Sequence, residues 1–253
     1  MHELWQYREL TWNLTVVELK NRYQNTALGF LWSLLSPLLL ALVMFFVFRY
    51  MWGQGADFPA YLLVGLMTWR FFAMGTTSSV YAIVGKPSLV TKVYIPRKIL
   101  VLSNMLANLI SSLLEFIIII PIVYVVLGHL PPTIILFPLI FLIYFWFVCG
   151  VALFLSSVFV YFRDLNQIWE VLVNVLFFLS PIFYPMVQIT DRTRFIYLLN
   201  PMTEFVITFR DVMIYGNLPA WYSLVITITA SIAAYVIGSL TFNKLQRRFA
   251  EEI

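Results

Sequence analysis

From Phe116 to Phe162 the chain carries no Asp, Glu, Lys or Arg. Soluble domains rarely hold such a run, because about 18 consecutive apolar residues already suffice to span a bilayer core. The stretch is long enough for two crossings, and Gly-His-Leu-Pro-Pro-Thr at 128–133 divides it. Ala27–Phe48 and Val212–Asn243 are two further charge-free stretches. Over the whole chain 62% of residues are hydrophobic and 11% charged, against about 25% charged in ordinary globular proteins. A soluble fold is excluded, and an all-α polytopic membrane protein is implied.

Six spans are read, at 28–50, 59–84, 99–127, 133–158, 166–185 and 219–242, in a single transmembrane domain covering residues 1–253. The cations outside them are unequally shared. Arg8, Lys20, Arg22, Lys86, Lys92, Arg97, Lys98, Arg163, Lys244, Arg247 and Arg248 fall on one side. Arg192, Arg194 and Arg210 fall on the other, with Arg49 at a span end. The positive-inside bias places the first group, and both termini, in the cytoplasm. It also accounts for the net charge of +4, so nucleic acid is not an expected partner. Charged residues from Glu3 to Arg22 interrupt the N-terminus, which reads as no cleavable signal peptide. The lone cysteine, Cys149, forms no intrachain disulfide and reads as a small buried apolar residue.

Three segments do not fit the pattern of simple crossings. Residues 3–24 form an amphipathic helix in which Trp5, Trp12, Val16, Leu19 and Tyr23 share an arc, while Glu3, Glu18 and Arg22 point away. That arc suits an anchor at the membrane interface or packing against the spans, and the pattern alone does not choose. Between the second and third spans, about 86–97, lies a short basic helix bracketed by Pro87 and Pro96, with Leu89, Val90, Val93 and Tyr94 on an apolar face. A loop that only enforces topology explains its charges; a docking helix explains the charges and the apolar face together. After the fifth span, about 186–215, Pro181, Pro185, Pro201 and Pro219 punctuate short helices broken at Asn200–Pro201, too short and charged to cross. They read as re-entrant helices in the outer leaflet, where a non-helical break must be shielded by protein or water.

Arg70 lies about eleven residues into the second span and Glu115 about twelve from the outer end of the third, at similar depth by the 1.5 Å helical rise. Intramembrane charges normally pair, so an Arg70–Glu115 ion pair of structural purpose is expected.

Catalytic chemistry is not visible. His2 and His129 are far apart and the only cysteine lies in an apolar run, so no metal site is expected. There is no G-x-S-x-G elbow and no D-x-D pair. The Gly-Lys at 85–86 lacks the glycine a phosphate-binding loop needs five residues earlier, and Pro87 stands where Ser or Thr is required. An ATP-driven activity would therefore need the ATP site in another chain.

The stretches Glu18–Leu39, Leu89–Leu100, Tyr161–Pro185 and Asn200–Pro219 resemble, in order, successive motifs of the type-2 ABC exporter permeases of the polysaccharide-export group, nearest to its O-antigen exporters. The resemblance implies a six-span subunit pairing with a second copy of itself in the bacterial cytoplasmic membrane. It implies a separate cytoplasmic ABC ATPase dimer holding Mg-ATP, with no cofactor in this chain. It implies a channel for a lipid-linked polysaccharide of the polyprenyl diphosphate kind. The 86–97 segment becomes the coupling helix, with Ser88, Leu89, Val90, Lys92, Val93, Tyr94 and Arg97 meeting the ATPase. The segment after the fifth span becomes outer gate helices. Trp32, Ser36, Phe46 and Tyr50 of the first span, and Asn166, Trp169, Phe177, Ser180 and Tyr184 of the fifth, become candidates to line the channel, since sugar faces stack on aromatic rings. Against this, aromatics make up 18% of the chain and also form lipid-interface belts.

Other readings stay open: a type-2 exporter of a small amphipathic drug or natural product, capsule or teichoic-acid export, or a membrane-embedded lipid-glycan enzyme. The enzyme reading needs converging ionisable groups, and Arg70, Glu115 and Glu170 look scattered. A secondary transporter would carry an internal repeat, and none is seen.

Overall fold

The computed structural model describes residues 6–24, 29, 31–52, 57–185, 197 and 199–252, with helix and no strand among them. The chain runs α1 (Arg8–Tyr23), α2 (Leu31–Trp52), α3 (Phe58–Val80), α4 (Pro87–Lys92), α5 (Lys98–Leu127), α6 (Phe137–Tyr161), α7 (Leu165–Phe178), α8 (Pro201–Arg210), α9 (Trp221–Leu245) and α10 (Phe249–Glu252). Four helical stretches among the described residues are long and apolar enough to cross a membrane: Phe58–Val80, Lys98–Leu127, Pro132–Tyr161 and Trp221–Glu252. Leu34–Val47 and Leu165–Phe178 are apolar but shorter.

Local chemistry sets the ends. Pro59 sits in the first turn of α3, where its missing N–H is harmless. Helix α5 runs 30 residues and stops at Gly128, whose φ of 75° closes a left-handed cap on the Tyr124 carbonyl. Helix α8 begins at Pro201, and the Asn200 side chain accepts a hydrogen bond from the Met202 amide. It continues through a π-helical turn, Asp211–Tyr215, to a second left-handed glycine, Gly216. The bundle thus has a basic end, with Lys86, Arg97 and Arg248, and a far end, with Asp57, Gly128 and Gly216.

Two sequence expectations are corrected here. The fifth span, read as 166–185, is helical only to Phe178, because the chain must leave the helix before Pro181. The coupling helix, read as 86–97, is helical only over Pro87–Lys92; Val93 is extended, and Ile95, preceding Pro96, is kept out of the helical region. The gate expectation over 186–196 lies outside the described residues, as do Trp5 and the side chain of Tyr50.

Helices α6 and α9 pack backbone to backbone. A β-carbon on Gly238 would lie 2.0 Å from the Gly150 carbonyl oxygen, and one on Gly150 would lie 2.3 Å from the Ala234 carbonyl carbon. Ser231 adds a hydrogen bond to the Ile143 carbonyl at 2.9 Å. Small residues at such a seam allow the close approach on which helix association in lipid depends. Elsewhere the core is aromatic: Phe71, Phe116, Phe137, Phe141, Tyr144, Phe205 and Phe209 form a chain of ring contacts that seats α8 among α3, α5 and α6.

Helix α1 packs along α5 mainly with its polar side, and of the apolar arc Tyr23 joins that contact through Ser111. Thr15 is fully buried and Glu18 partly buried, while Trp12 is 57% exposed. Polar groups on α5 reward the polar side of α1, which leaves its tryptophan outward.

Candidate functional site

The first constellation is a polar ladder on α5. Asn104, Asn108, Ser111 and Glu115 recur at helical spacing on one face of an otherwise apolar helix. Asn104 Oδ1 accepts from Ser78 Oγ at 2.8 Å and from Ser79 Oγ at 3.3 Å. Asn108 Nδ2 donates to the Phe71 carbonyl at 3.0 Å, and its Oδ1 accepts from Arg22 at 3.4 Å. Tyr23 donates to Ser111 at 3.0 Å. At the top Arg70 Nε faces Glu115 Oε1 at 3.4 Å, with the carboxylate buried. The ladder ties α1 and α3 to α5 where hydrocarbon offers no competing partner. The uncharged rungs are absent from the sequence reading, which followed formal charge; the Asn104, Asn108, Ser111, Glu115 spacing inside an apolar run is the signal that would have found them.

The second constellation is a clasp at the far end. A helix end leaves its last carbonyls without intrahelical partners. After α7 they are taken one by one. Tyr184 donates to the Phe178 carbonyl at 2.6 Å. Asn200 reaches the Leu179 carbonyl at 3.4 Å and Ser180 Oγ at 2.9 Å. Tyr61 donates to the Tyr184 carbonyl at 2.8 Å. Arg210, 2% exposed, donates to the carbonyls of Pro181, Ile182 (2.6 Å) and Tyr61 (3.1 Å) and stacks on the Tyr61 ring, 3.3 Å from its centroid. The planar five-donor guanidinium suits this divided task, which one ammonium cannot perform. Gly65 makes room: a β-carbon there would lie 2.4 Å from Arg210 Nη2. The sequence reading counted Arg210 only as a far-side cation.

The third constellation is the basic tip. Val90 is buried at its root, whereas Ser88, Lys92 and Val93 are exposed and Tyr94 is 100% exposed. Leu89 is half-buried. Lys86 pairs with Glu18 of α1, which binds the tip to that helix. Arg97 donates to the Gln246 carbonyl, and Lys98 to Ser239 at 2.8 Å, so those cations hold the end of α9.

The channel candidates are not brought together. Trp32 and Phe46 are 52% and 51% exposed on α2, with Ser36 exposed beside them. The α7 set faces the other way, into α3. Trp169 Nε1 donates to Thr76 Oγ1 at 3.1 Å, and the Phe177 ring lies 5.6 Å from that of Trp69. Ser180 is buried within the clasp, where Tyr184 is also engaged, and Asn166 donates to Glu170 at 2.9 Å. The aromatic arc is a packing surface for α3. Among the described residues no group of three His, Cys, Asp or Glu side chains is placed to hold a metal ion.

A family model described as ABC-2 type transporter matches residues 9–214. An O-antigen export system permease protein RfbA of Klebsiella pneumoniae is 31% identical over 244 residues, covering 94% of this chain and 92% of that protein. The protein of the same name from Myxococcus xanthus is 32% identical over 260 residues, covering 100% and 98%. The polysialic acid transport protein KpsM of Escherichia coli is 24% identical over 231 residues, 87% of each chain.

Proposed function

Because the chain belongs to the ABC-2 type transporter family, we propose that it is the membrane subunit of an ATP-driven exporter that moves a lipid-linked polysaccharide of the O-antigen kind. The observation that carries this reading is the similarity to O-antigen permeases along nearly the whole chain. In this reading α2 and α7 join the four long apolar helices as crossings, giving six. The basic end faces the cytoplasm of a bacterium, together with both termini, and the far end faces outward. Two copies of the chain assemble with a cytoplasmic ATPase dimer, which binds and hydrolyses Mg-ATP.

The basic tip is the contact with that ATPase. Lys92, Val93 and Tyr94 stand clear of the rest of the subunit, with Tyr94 fully exposed, and a bare aromatic beside a cation suits a socket on a partner. Arg97 supports the tip from inside through its bond to Gln246.

The test is complementation. A strain lacking its own O-antigen permease receives this chain with its cognate ATPase, and surface polysaccharide is measured by immunoblot. Polysaccharide on the surface is the expected result; an assembled complex that exports none overturns the reading. Lys92→Glu combined with Tyr94→Ala should lower ATPase coupling by about tenfold, the equivalent of ~1.4 kcal/mol at the contact, with the permease still at its normal level.

A further inference from the structure

On the side of α7 turned away from α3, an apolar helix becomes polar. Gln167, Glu170 and Asn174 are all exposed, and at 3.6 residues per turn they share a strip about 60° wide. Ile168, Val171, Leu172 and Val175, also exposed, fill the neighbouring sector. The exposed surface therefore divides lengthwise into a polar half and an apolar half.

Depth follows from the neighbouring helix. Trp169 meets Thr76 and Phe177 meets Trp69, so Asn174 stands level with about Phe72. That is roughly 4 Å from the middle of α3, and Glu170 is roughly 9 Å from it, by the 1.5 Å rise per residue. Both lie within the ~15 Å half-thickness of a hydrocarbon core centred there. A carboxyl group and a carboxamide at that depth do not face lipid. Their partners at that depth are polar: water, a polar solute or a polar face of a second copy.

The strip is pre-set by its own bonds. Asn166 donates to Glu170 Oε1 at 2.9 Å, and Asn174 Nδ2 donates to the Glu170 carbonyl at 2.9 Å. What Glu170 and Asn174 have left to offer is chiefly acceptor oxygen, the complement of hydroxyl donors. The only formal charge on the strip is negative, and like charge at low dielectric repels strongly.

We propose that Gln167, Glu170 and Asn174 form the glycan-facing rail of the translocation path, taking the hydroxyls of an uncharged polysaccharide and disfavouring chains that carry carboxylate or phosphate. The proposal rests on the export function above, and it deepens that function by naming an uncharged polymer as the substrate class.

One experiment does not depend on export. In a Cys149→Ala background, single cysteines replace Asn174 or Val175 in the full transporter in membranes, and a charged, membrane-impermeant maleimide is added. The expected result is labelling at position 174 at least ~10-fold faster than at 175, because the reagent partitions with water and not with hydrocarbon. Equal rates, or no labelling at 174, overturn the rail. A second arm uses export itself, with a neutral mannan and a uronate-containing polymer as the two probes. Glu170→Gln should raise the ratio of acidic to neutral export by about tenfold, the size of one lost repulsion of ~1.4 kcal/mol. An unchanged ratio overturns the selectivity. Fast labelling at 174 in a protein that exports neither polymer leaves the water-facing strip standing and removes the export reading instead.

Discussion

Arg210→Met tests the clasp directly. It withdraws donors from the carbonyls of Pro181, Ile182 and Tyr61 and removes the cation from the Tyr61 ring. The Pro181 carbonyl keeps a weaker bond from Tyr61 Oη at 3.3 Å, so the heaviest loss falls on Ile182. Hydrogen bonds from a charged donor contribute about 1.5–3 kcal/mol net each, and relief of the buried charge opposes the loss. A net destabilisation of about 3 kcal/mol is expected, which for a chain of this size is a fall of roughly 6–12 °C in melting temperature. Gly65→Ala strikes the same contact from the opposite side, since its β-carbon would lie 2.4 Å from Nη2. Overpacking of that kind costs about 1–3 kcal/mol. Once the guanidinium is gone the remaining close atom is the Ile182 carbonyl oxygen at 3.3 Å, a minor crowding, so the double variant should melt within ~2 °C of Arg210→Met alone. The assay is thermal unfolding of the detergent-purified complex, followed by size-exclusion chromatography. A near-wild-type melting point for Arg210→Met, or a double variant showing the full sum of the two losses, would refute the clasp.

Gly238→Leu forces a side chain into the Gly150 backbone across the α6–α9 seam and should cost more than about 3 kcal/mol, read as failure to accumulate in membranes. Arg70→Ala leaves the buried Glu115 carboxylate short of its guanidinium and should cost about 3–5 kcal/mol, whereas Arg70→Met with Glu115→Leu should recover most of the melting temperature. A double variant no more stable than Arg70→Ala would count against the pair as the cause. Glu18→Lys should loosen the basic tip from α1 by at most about 1 kcal/mol, since both partners are partly exposed, and Lys86→Glu in the same protein should restore it. Trypsin sensitivity near Lys92 reports that loosening.

Formal charge and punctuation were the legible part of this sequence. The long apolar runs give the helices α5, α6 and α9 within a few residues, because a single apolar segment in lipid satisfies its own backbone only as a helix. Depth counting brings Arg70 to Glu115 without any knowledge of packing. The same reasoning overruns at α7, because the 166–185 span runs through Pro181 while the helix stops three residues before it, at Phe178. The α7 and α1 faces show one limit of such reasoning. A helical wheel says which residues share a side, but not what that side meets. Trp169 and Phe177 share an arc on the wheel, and only the structure sets Thr76 and Trp69 opposite it. The wheel of α1 leaves its packed side undecided until α5 presents asparagines to the polar side and Trp12 is left outward. The clasp was hidden because its acceptors are main-chain carbonyls, which no residue letter announces.

The seam at Gly150 and Gly238 divides the molecule mechanically. Two backbones in direct contact leave no side-chain layer to shear, so α6 and α9 move as one post, with Arg97 and Lys98 fastening its foot. Helix α7 has no such weld; it leans on α3 through rings and is moored at its top by side-chain donors. The tip at Lys92 and Tyr94 therefore sits beside a fixed post, and α7 is the helix left with freedom to swing.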